Sequence, residues 1–516
     1  MPSELFLSRF GGHTWAALRE EGHTVELRVE REGDAPAVGR IVRARVTRVL
    51  PGLQSAFVDL GLARDAFLHV ADLLLPGEHP PSDAEAVLAR AADDDVSDED
   101  AGGRTHAPAI QAPIQDRLRP GRELLVQIAR EGFGSKGPRV TCLISLPGRY
   151  LVYLPQMAHG GVSRRIADPE ERARLKAALE ELTHVPGAFI ARTAAAGAEV
   201  GLLRADAERL AVAWERCQRT YAGSTAPAVV HQDVDLFFRL LRDAPRAGLE
   251  RIVVEGAADR ERAVAYLADV DPQLAARVRL HPGPAPLFES HGLDEDVARA
   301  LRPRVWLRSG GTVVIEPTEA LVAIDVNTGK YVGRGQLEDT VLQTNLEAAE
   351  EIARQLRLRD LGGIVVVDFI DMELPESKRR VLEALEAALA RDRARTKVVG
   401  LSDLGLVQLT RKRTRRGIAA ALTRTCPGCA GLGRIKNAPT IASEALFEIR
   451  RLLPDTDASS VTVRTHPEVA RLLALELQTG GEDLDAVRRA GVRIEADASV
   501  APDHFEIVAS RRAPQA

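Results

Sequence analysis

Two runs of apolar residues, each ending in an aspartate, stand out in the second half of the chain. Residues 321–327 read Leu-Val-Ala-Ile-Asp-Val-Asn, and residues 364–372 read Ile-Val-Val-Val-Asp-Phe-Ile-Asp-Met. Apolar runs rich in β-branched residues are typical of buried strands. Between them, from about 337 to 360, apolar residues recur at helical spacing. The pattern predicts a strand–helix–strand crossover that brings Asp325 and Asp368 to one edge of a sheet.

The two aspartates and a nearby amide form a candidate metal site. Charged side chains rarely lie at the ends of buried strands without a partner. Asp325, Asp368 and Asn327 together offer hard oxygen ligands, which suit Mg²⁺. The alternative is that each aspartate is a helix cap or a turn residue, because spacing alone does not show that the two carboxylates meet. Asp371, close by, is interpreted as a solvated charge rather than as a further ligand.

The rest of the pattern predicts several smaller units. Short strands separated by glycine turns predict a small barrel at 41–50, 55–60, 66–70 and 123–129. An acidic stretch at 76–117, rich in proline and alanine, is predicted to be a disordered loop inserted into this barrel. A mixed α/β unit follows from about 143 to 236, and strands and helices alternate from 237 to 300. The chain ends in a predicted small α/β domain.

The predicted barrel carries candidate contacts to nucleic acid. Phe57 and Phe67 could stack on bases and Lys136 could contact a phosphate, as on OB-type platforms. The alternative is that both phenylalanines belong to the core of the barrel. A second candidate is the segment 411–416, which holds five cations in six positions. Such a run would suit a phosphate backbone, or it forms a solvated helix face.

Composition limits these interpretations. A chain of 516 residues is long enough for several domains. The net charge is only −5, so nucleic-acid binding has to come from local basic patches and not from the total charge. No apolar run approaches the roughly 20 residues of a membrane-spanning helix, and the N-terminus lacks the apolar core of a signal peptide. A cytoplasmic protein is therefore predicted.

Four cysteines in a chain of this length do not make a disulfide framework. Cys142 and Cys217 are isolated and are predicted to be buried small apolar residues. Cys426-Pro-Gly-Cys429, followed by a glycine-rich segment, is similar to half of a zinc knuckle. Structural zinc takes four ligands, so the other two thiolates would come from a second copy of the chain. The alternatives are a redox dithiol or two inert cysteines.

The segments 323–327 and 345–372 resemble the ribonuclease E/ribonuclease G family of bacterial endoribonucleases, over a long and nearly continuous stretch. The resemblance covers most of the chain. Val-Leu-Pro-Gly-Leu-Gln-Ser-Ala-Phe-Val-Asp at 49–59 looks like the S1-type barrel of the family. Further resemblances are to its 5′-sensor, at 148–152, 163–165 and 191–193, and to its zinc link, at the cysteine pair. The segments 67–69 and 410–415 look closer to the ribonuclease G branch, a short form without the scaffold tail.

The resemblance implies a role for individual residues. It implies that Asp325 and Asp368 bind a catalytic Mg²⁺ with the support of Asn327. The implied RNA contacts of the barrel are Phe57, Phe67 and Lys136. The implied pocket for a 5′-monophosphate consists of Gly148, Val152, Arg192 and Thr193. Cys426 and Cys429 are the implied Zn²⁺ ligands, shared between two subunits.

The resemblance also implies a multi-domain architecture of α/β and α+β units. The implied parts are an RNase H-like domain in two pieces (1–38 and 237–300), an S1-type OB-fold barrel (39–142), a 5′-sensor (143–236), a DNase I-like catalytic domain (301–422), a zinc link (423–434) and a small dimerisation domain (435–516). The acidic insert at 76–117 departs from the compact pattern of the family, and its negative charge beside the barrel would either weaken or gate RNA entry or loop away from it.

The implied activity is that of a Mg²⁺-dependent endoribonuclease. It would cleave single-stranded RNA with a metal-activated water, leave a 5′-phosphate, and be stimulated by a 5′-monophosphate end. Its implied processes are RNA processing, including that of rRNA, and mRNA decay. The implied partners are single-stranded RNA and a second copy of the chain, with a tetramer left open. The alternatives are a non-catalytic RNA-binding protein that retains the fold, and a redox protein centred on Cys426 and Cys429.

Overall fold

The computed structural model describes most of the chain, over the ranges 2–32, 38–75, 77–78, 112–132, 137–182, 184–245, 248–329, 337–402, 404–413, 417–452, 458–481, 484–489 and 491–511. The chain divides into two compact units, Met1–Leu422 and Thr423–Ala516. Among the helices in these ranges, none is long and apolar enough to cross a membrane.

Three antiparallel strands begin the first unit. They are β1 (Ser3–Phe10), β2 (His13–Glu20) and β3 (His23–Arg31), and they pair in sequence order. The turns between them contain Gly11 and Gly22, whose φ angles of 59° and 81° suit glycine better than any residue with a Cβ. The chain therefore reverses twice within a few residues.

The next five strands close into a barrel. They are β4 (Ile41–Leu50), β5 (Ser55–Asp59), β6 (Ala66–His69), β7 (Glu123–Arg130) and β8 (Arg139–Thr141). Their order is β4-β5-β6-β8-β7, and β7 pairs back with β4, so the sheet closes on itself. The prediction of a small barrel is confirmed, and the closed five-stranded arrangement is consistent with an OB-like domain.

The predicted disordered insert extends too far at its C-terminal end. Residues 114–117 form a short helix, α1 (Ile114–Arg117). Ile114 is fully buried in the core of the barrel, and Arg117 forms an ion pair with Glu78 and donates to the carbonyl of Leu73. This turn therefore belongs to the barrel, because an apolar side chain anchors it there. Residues 76 and 79–111 of the predicted insert lie outside the described residues.

A mixed α/β unit follows the barrel. Its elements are β9 (Leu146–Pro147), β10 (Leu151–Leu154), β11 (Gly161–Val162), α2 (Pro169–Glu180), β12 (Ala188–Ala191), α3 (Val200–Gly223) and β13 (Ala228–His231). Four of the strands form a sheet in the order β11-β12-β10-β9, while β13 pairs with β4 of the barrel. The carboxylate of Asp168 accepts from the N–H of Glu170, which caps the start of α2.

The chain then returns to its first sheet. The elements of this segment are α4 (Leu236–Asp243), β14 (Leu249–Val254), α5 (Ala257–Val270), α6 (Pro272–Ala275), β15 (Val278–Leu280), α7 (Leu287–Ser290) and α8 (Leu293–Ala300). Because β14 lies parallel to β1, the complete sheet has the order β15-β14-β1-β2-β3. Two segments that are distant in the sequence thus share one sheet, and its RNase H-like label stays a prediction.

A six-stranded sheet carries the paired aspartates. Its elements are β16 (Arg304–Trp306), β17 (Thr312–Pro317), β18 (Leu321–Asn327), α9 (Leu337–Arg359), β19 (Gly363–Asp368), α10 (Pro375–Leu389), β20 (Thr396–Leu401), β21 (Leu406–Arg411) and the following α11 (Ile418–Leu422). The strand order is β16-β17-β18-β19-β21-β20, and only β18 and β19 are parallel. The predicted strand–helix–strand crossover is confirmed.

One face of this sheet is packed and the other is open. Val322, Ile324 and Val326 of β18 are buried in a core that also contains Ala349 and Ile352 of α9. The alternate residues of β18 point to the opposite face and are mostly exposed. Polar side chains on the open face can therefore meet a ligand without disturbing the core.

The second unit is a small α/β domain, as predicted. Its elements are α12 (Ala438–Leu452), β22 (Ala458–Thr465), α13 (Pro467–Thr479), α14 (Asp485–Arg489), β23 (Val492–Ala496) and β24 (Phe505–Arg511). The strands form a sheet in the order β23-β22-β24. Its core includes Ile441, Ile449, Val463 and Leu473.

Candidate active site

Asp325 and Asp368 are direct neighbours on the open face. Strands β18 and β19 are parallel, and their register pairs Asp325 with Asp368. Neighbouring strands lie about 4.8 Å apart, and paired residues point to the same face. Both side chains are exposed, whereas Ile324 and Val367 beside them are buried. The structure thus brings the two carboxylates together at the end of the crossover.

Asn327 orients one of these carboxylates. Its Nδ2 donates a hydrogen bond to Oδ2 of Asp325 over 2.7 Å, which leaves its amide oxygen available. In the part of the chain that the structure describes, no cation forms an ion pair with Asp325 or Asp368, and no third carboxylate completes a cluster around them. Two carboxylates, one amide oxygen and several waters match the oxygen ligands that Mg²⁺ takes in proteins. The donor set therefore fits this ion.

A buried amide holds the chain just beyond Asp368. Asn345 of α9 is fully buried, and its Nδ2 donates to the carbonyl of Ile370 over 2.8 Å. Its Oδ1 accepts from the N–H of Ile370 over 3.1 Å, so the side chain of Asn345 satisfies both backbone polar groups of Ile370. Sequence reasoning missed Asn345. The sequence feature that could have identified it is a polar residue within the apolar stripe of α9, between Val341 and Ala349.

The cation run at 411–416 does not form a solvated helix face where it is described. Arg411 ends β21 and is buried. Its guanidinium donates to Asp392 over 2.7 Å and to Asp360 over 2.9 Å. Arg413 donates to the carbonyl of Gly362. Arg411 is therefore a structural cation, because two buried carboxylates neutralise it, and it is not an exposed RNA contact; residues 414–416 lie outside the described residues.

Phe57 and Phe67 lie on the outer surface of the barrel. They are paired across β5 and β6, with ring centroids 6.1 Å apart in an edge-to-face arrangement. Both are only half-buried, while their neighbours Ala56 and Leu68 are fully buried in the core. The guanidinium of Arg48 lies 5.1 Å from the ring centroid of Phe57. The two rings therefore form an aromatic surface next to a cation, and Lys136 lies outside the described residues.

Arg192 is held between two oxygen acceptors. Its Nη1 donates to the carbonyl of Gly148, and its Nη2 pairs with Oδ1 of Asp243 over 2.9 Å. Burial acts to raise the pKa of Asp243, but Arg192 and then Arg242 outweigh it and hold this pKa below its usual value. The sequence did not predict the contact between Asp243 and Arg192. Asp243 lies on α4, outside the sheet next to Arg192, and no local sequence pattern indicates that the two residues meet.

The other predicted sensor residues surround Arg192. Val152 is half-buried and lies on β10. This strand pairs with β12, whose last residue directly precedes Arg192. Thr193 is exposed and follows Arg192 in the chain. At Gly148 there is no room for a side chain, because a Cβ would lie 2.4 Å from a carboxylate oxygen of Asp206. The structure thus brings Gly148 and Thr193 next to Arg192, and it places Val152 on the neighbouring strand, paired with Ile190 two residues before Arg192.

The cysteine pair forms a tight turn in the second unit. Cys426 is exposed and Cys429 is partly exposed. The backbone N–H groups of Cys429 and then Gly428 donate towards the sulfur of Cys426 and hold the pKa of its thiol below the usual value. This geometry suits a metal-binding knuckle, but within the described residues no third cysteine, histidine or carboxylate joins the pair. Cys142 and Cys217 are both buried, as predicted.

The comparisons with known proteins agree with this geometry. The model of a family described as the Ribonuclease E/G family matches residues 145–414. Ribonuclease G of Escherichia coli (strain K12) is 36% identical over 508 residues, which cover 98% of this chain and 100% of that protein. The chain belongs to the ribonuclease E/G family.

Other relatives extend this result. Ribonuclease G of Haemophilus influenzae is 39% identical over 477 residues, which cover 92% of this chain and 93% of the relative. Ribonuclease E of Nostoc sp. (strain PCC 7120) is 37% identical over 444 residues, or 85% of this chain and 60% of the relative. The family consists of endoribonucleases, so the predicted family and class of enzyme are confirmed.

Proposed function

We propose that this member of the family is a Mg²⁺-dependent endoribonuclease that hydrolyses single-stranded RNA and leaves a 5′-phosphate on the downstream product. The observation that carries this proposal is the register of β18 and β19, which pairs Asp325 with Asp368 on an open face. Asp325 and Asp368 would hold the Mg²⁺, which would supply positive charge to the scissile phosphate and make a water more acidic for the attack. RNA processing, including that of rRNA, and mRNA decay are the proposed settings.

The side chains of the site each have a proposed task. Asp325 and Asp368 supply the negative charge that retains the ion, and Asn327 fixes the orientation of the Asp325 carboxylate through its 2.7 Å hydrogen bond. Asn345 fixes the backbone that follows Asp368 through its two hydrogen bonds to Ile370. Held in this way, the carboxylates need little reorganisation during the reaction, which favours catalysis.

The barrel is the proposed contact for the RNA chain. The outward rings of Phe57 and Phe67 and the cation of Arg48 provide stacking and charge, which suit single-stranded RNA. Bases in a duplex are already stacked on one another, so a duplex would not use these rings. Lys136 is proposed to contact a phosphate, on the strength of the family resemblance alone.

Arg192 is the proposed reader of the 5′ end. Its guanidinium is already oriented by Gly148 and Asp243, so less side-chain entropy is lost when it binds a terminal phosphate. Thr193, exposed beside it, adds a hydroxyl, and Val152 lines the same side. A monophosphate would be favoured over a bulkier and more highly charged triphosphate.

The proposed catalytic role is tested with Asp325→Asn and Asp368→Asn. Each change removes one charge from the ion site, and we expect the rate of RNA cleavage at fixed Mg²⁺ to fall by roughly 100-fold or more, since even outer partners of metal ligands cost 10–100-fold. Asp371→Asn is the matched control, because Asp371 is an exposed aspartate three positions beyond the site. Binding of the same RNA without Mg²⁺ should be retained by all three variants.

The competing function is that of an RNA-binding protein without catalysis. It predicts no cleavage by the wild-type chain and unchanged RNA binding in every variant. Mapping of the RNA ends after incubation with Mg²⁺ separates the two functions, because hydrolysis leaves a 5′-phosphate and a 3′-hydroxyl at one defined bond. Cleavage that proceeds equally fast in the Asp325→Asn and Asp368→Asn variants would reject the metal site.

A further inference from the structure

The edge strand β16 presents a set of outward side chains that the proposed site does not use. Arg304 and Trp306 alternate with Val305, and the chain turns towards β17 directly after them. Both are exposed, whereas Leu307 is buried, and Trp306 is 70% exposed. We call Arg304 and Trp306 the β16 stripe.

The register of the sheet connects this stripe with the paired aspartates. Trp306 is paired with Thr312 of β17, and Thr312 is paired with Asn327 of β18. In the next row, Arg304 is paired with Val314, which is paired with Asp325. Residues that are paired across strands share one face, so the β16 stripe and the aspartates are on the same open face. The stripe is two strand spacings, or about 10 Å, from Asp325 and three spacings from Asp368.

The chemistry of the stripe suits a single-stranded nucleic acid. Single exposed apolar residues are normal on protein surfaces, so exposure alone does not mark a site. Trp306 is distinguished by its register with the aspartate pair and by the cation of Arg304 two positions away. In the described part of the chain, no carboxylate forms an ion pair with Arg304. Arg308 is engaged elsewhere, because its guanidinium contacts a ring nitrogen of His23 at 3.2 Å and its backbone N–H donates to Glu347 of α9. An aromatic ring that accepts a base, next to a cation that accepts a phosphate, is a usual component of a single-strand track.

A second copy of the chain is a poorer occupant. Covering the stripe with protein would remove the guanidinium group of Arg304 from water, which is costly unless a carboxylate on the partner neutralises it. RNA brings a phosphate for the cation and a base for the ring. Arg304 and Trp306 are both exposed at the edge of the sheet, so the stripe is accessible to a chain.

We propose that the β16 stripe binds the RNA next to the scissile phosphate, with Trp306 stacking on a base and Arg304 contacting a phosphate beside it. This rests on the proposed function, because the position of the scissile phosphate is taken from the aspartate pair. Trp306 is then a positioning and specificity residue: it selects a nucleotide with a stackable base at one defined distance from the cut.

Tryptophan fluorescence tests the contact without catalysis. The chain has three tryptophans, and Trp15 and Trp214 are partly buried while Trp306 is exposed. With EDTA present, a 5′-phosphorylated single-stranded oligonucleotide should quench the emission of the wild-type protein. Trp306→Phe should abolish most of this quenching but retain an affinity within about threefold, because a phenyl ring still stacks.

Affinity and cleavage measure the size of the effect. Trp306→Ala should weaken binding of the oligonucleotide about tenfold, which lies within the range reported for loss of one stacked base. Phe10→Ala is the matched control, because Phe10 is an even more exposed aromatic residue (82%) on another sheet, and it should change nothing. In a series of oligonucleotides with one abasic position each, a single position near the cut should remove the difference between wild type and Trp306→Ala.

The outcomes separate this proposal from the proposed function. Unchanged quenching and affinity in Trp306→Ala would overturn the stacking role, even if Asp325→Asn abolishes cleavage. An altered sedimentation coefficient of Trp306→Ala in the absence of RNA would also overturn it, since the stripe would then be a contact between copies. If the quenching disappears as expected while the aspartate variants still cleave RNA, the stripe is retained and the metal site is rejected.

Discussion

At the scale of single residues, Arg192 is a group whose contribution can be isolated. Its two acceptors, the carbonyl of Gly148 and the carboxylate of Asp243, hold it in place before any ligand arrives. We expect Arg192→Ala to remove the preference for a 5′-monophosphate over a 5′-hydroxyl end, while cleavage of the 5′-hydroxyl substrate stays within about twofold. A hydrogen bond to a charged group is worth about 1.5–3 kcal/mol, or roughly 10- to 150-fold in the ratio of kcat/KM.

The control for this prediction is Arg204→Ala. Arg204 is an exposed arginine on α3 of the same unit, paired with Glu181 over 3.6 Å, and its loss should leave the preference intact. Comparing 5′-monophosphate, 5′-hydroxyl and 5′-triphosphate ends of one oligonucleotide gives the measurement. Equal rates for all three ends in the wild-type protein would remove the sensor role from this pocket.

The pH dependence of this preference follows from the charges in the pocket. The lowered pKa of Asp243 means that its pairing with Arg192 is complete above the usual carboxyl range and is lost only as pH falls through that lowered value. Between pH 5 and 8 the pocket therefore keeps its charge, whereas a terminal phosphate gains its second charge near pH 6. The preference should grow as pH rises through about 6.

At the scale of elements, the crossover β18–α9–β19 depends on one polar contact inside its core. Asn345 is fully buried and satisfies both backbone groups of Ile370. We expect Asn345→Ala to lower the free energy of unfolding by about 1–3 kcal/mol, because a buried donor and acceptor lose their partner. It should also raise the Mg²⁺ concentration needed for half-maximal cleavage, because the strand end that carries Asp368 is no longer fixed.

Gln343→Ala is the matched control on the same helix, since Gln343 is exposed. It should change neither the unfolding curve nor the Mg²⁺ requirement. A merely structural role of Asn345 predicts a lower stability with an unchanged Mg²⁺ requirement at a temperature where the variant is folded. That result would show that the contact of Asn345 with Ile370 stabilises the fold but does not affect metal binding at the active site.

The same elements explain what the sequence could and could not predict. The aspartates at the ends of β18 and β19 were predicted because strand periodicity and the helix between them are local patterns. The contact of Asn345 with Ile370, the burial of Arg411 and the pairing of Asp243 with Arg192 were not, since each joins different elements. The barrel was predicted from its short strands, but its closure through β4 and β7 depends on pairing between strands far apart in sequence.

At the scale of the whole molecule, the four cysteines divide into two classes, and a thiol reagent can distinguish them. Burial raises the pKa of Cys142 to about 12 and that of Cys217 to about 11, so both thiols are protected and poorly ionised. Cys426 and Cys429 lie at the surface of the second unit. A thiol reagent should therefore label two cysteines per native metal-free chain rapidly, and all four only after unfolding.

We propose that Cys426 and Cys429 bind a zinc ion together with the same two cysteines of a second chain. Two thiolates per chain cannot complete a four-ligand structural site, so a shared site predicts one zinc for two chains, together with protection of both thiols from labelling. We expect Cys426→Ser, or removal of the metal by a chelator, to shift the dimer towards monomer in sedimentation, whereas Cys217→Ala should retain both zinc and dimer. One zinc per chain in a monomer would instead require two ligands from the same chain, and rapid disulfide formation without zinc would favour a redox pair.

Because binding of a shared ion depends on two chains meeting, the metal content should fall as the protein is diluted, and this concentration dependence is the most direct evidence that the site lies between subunits.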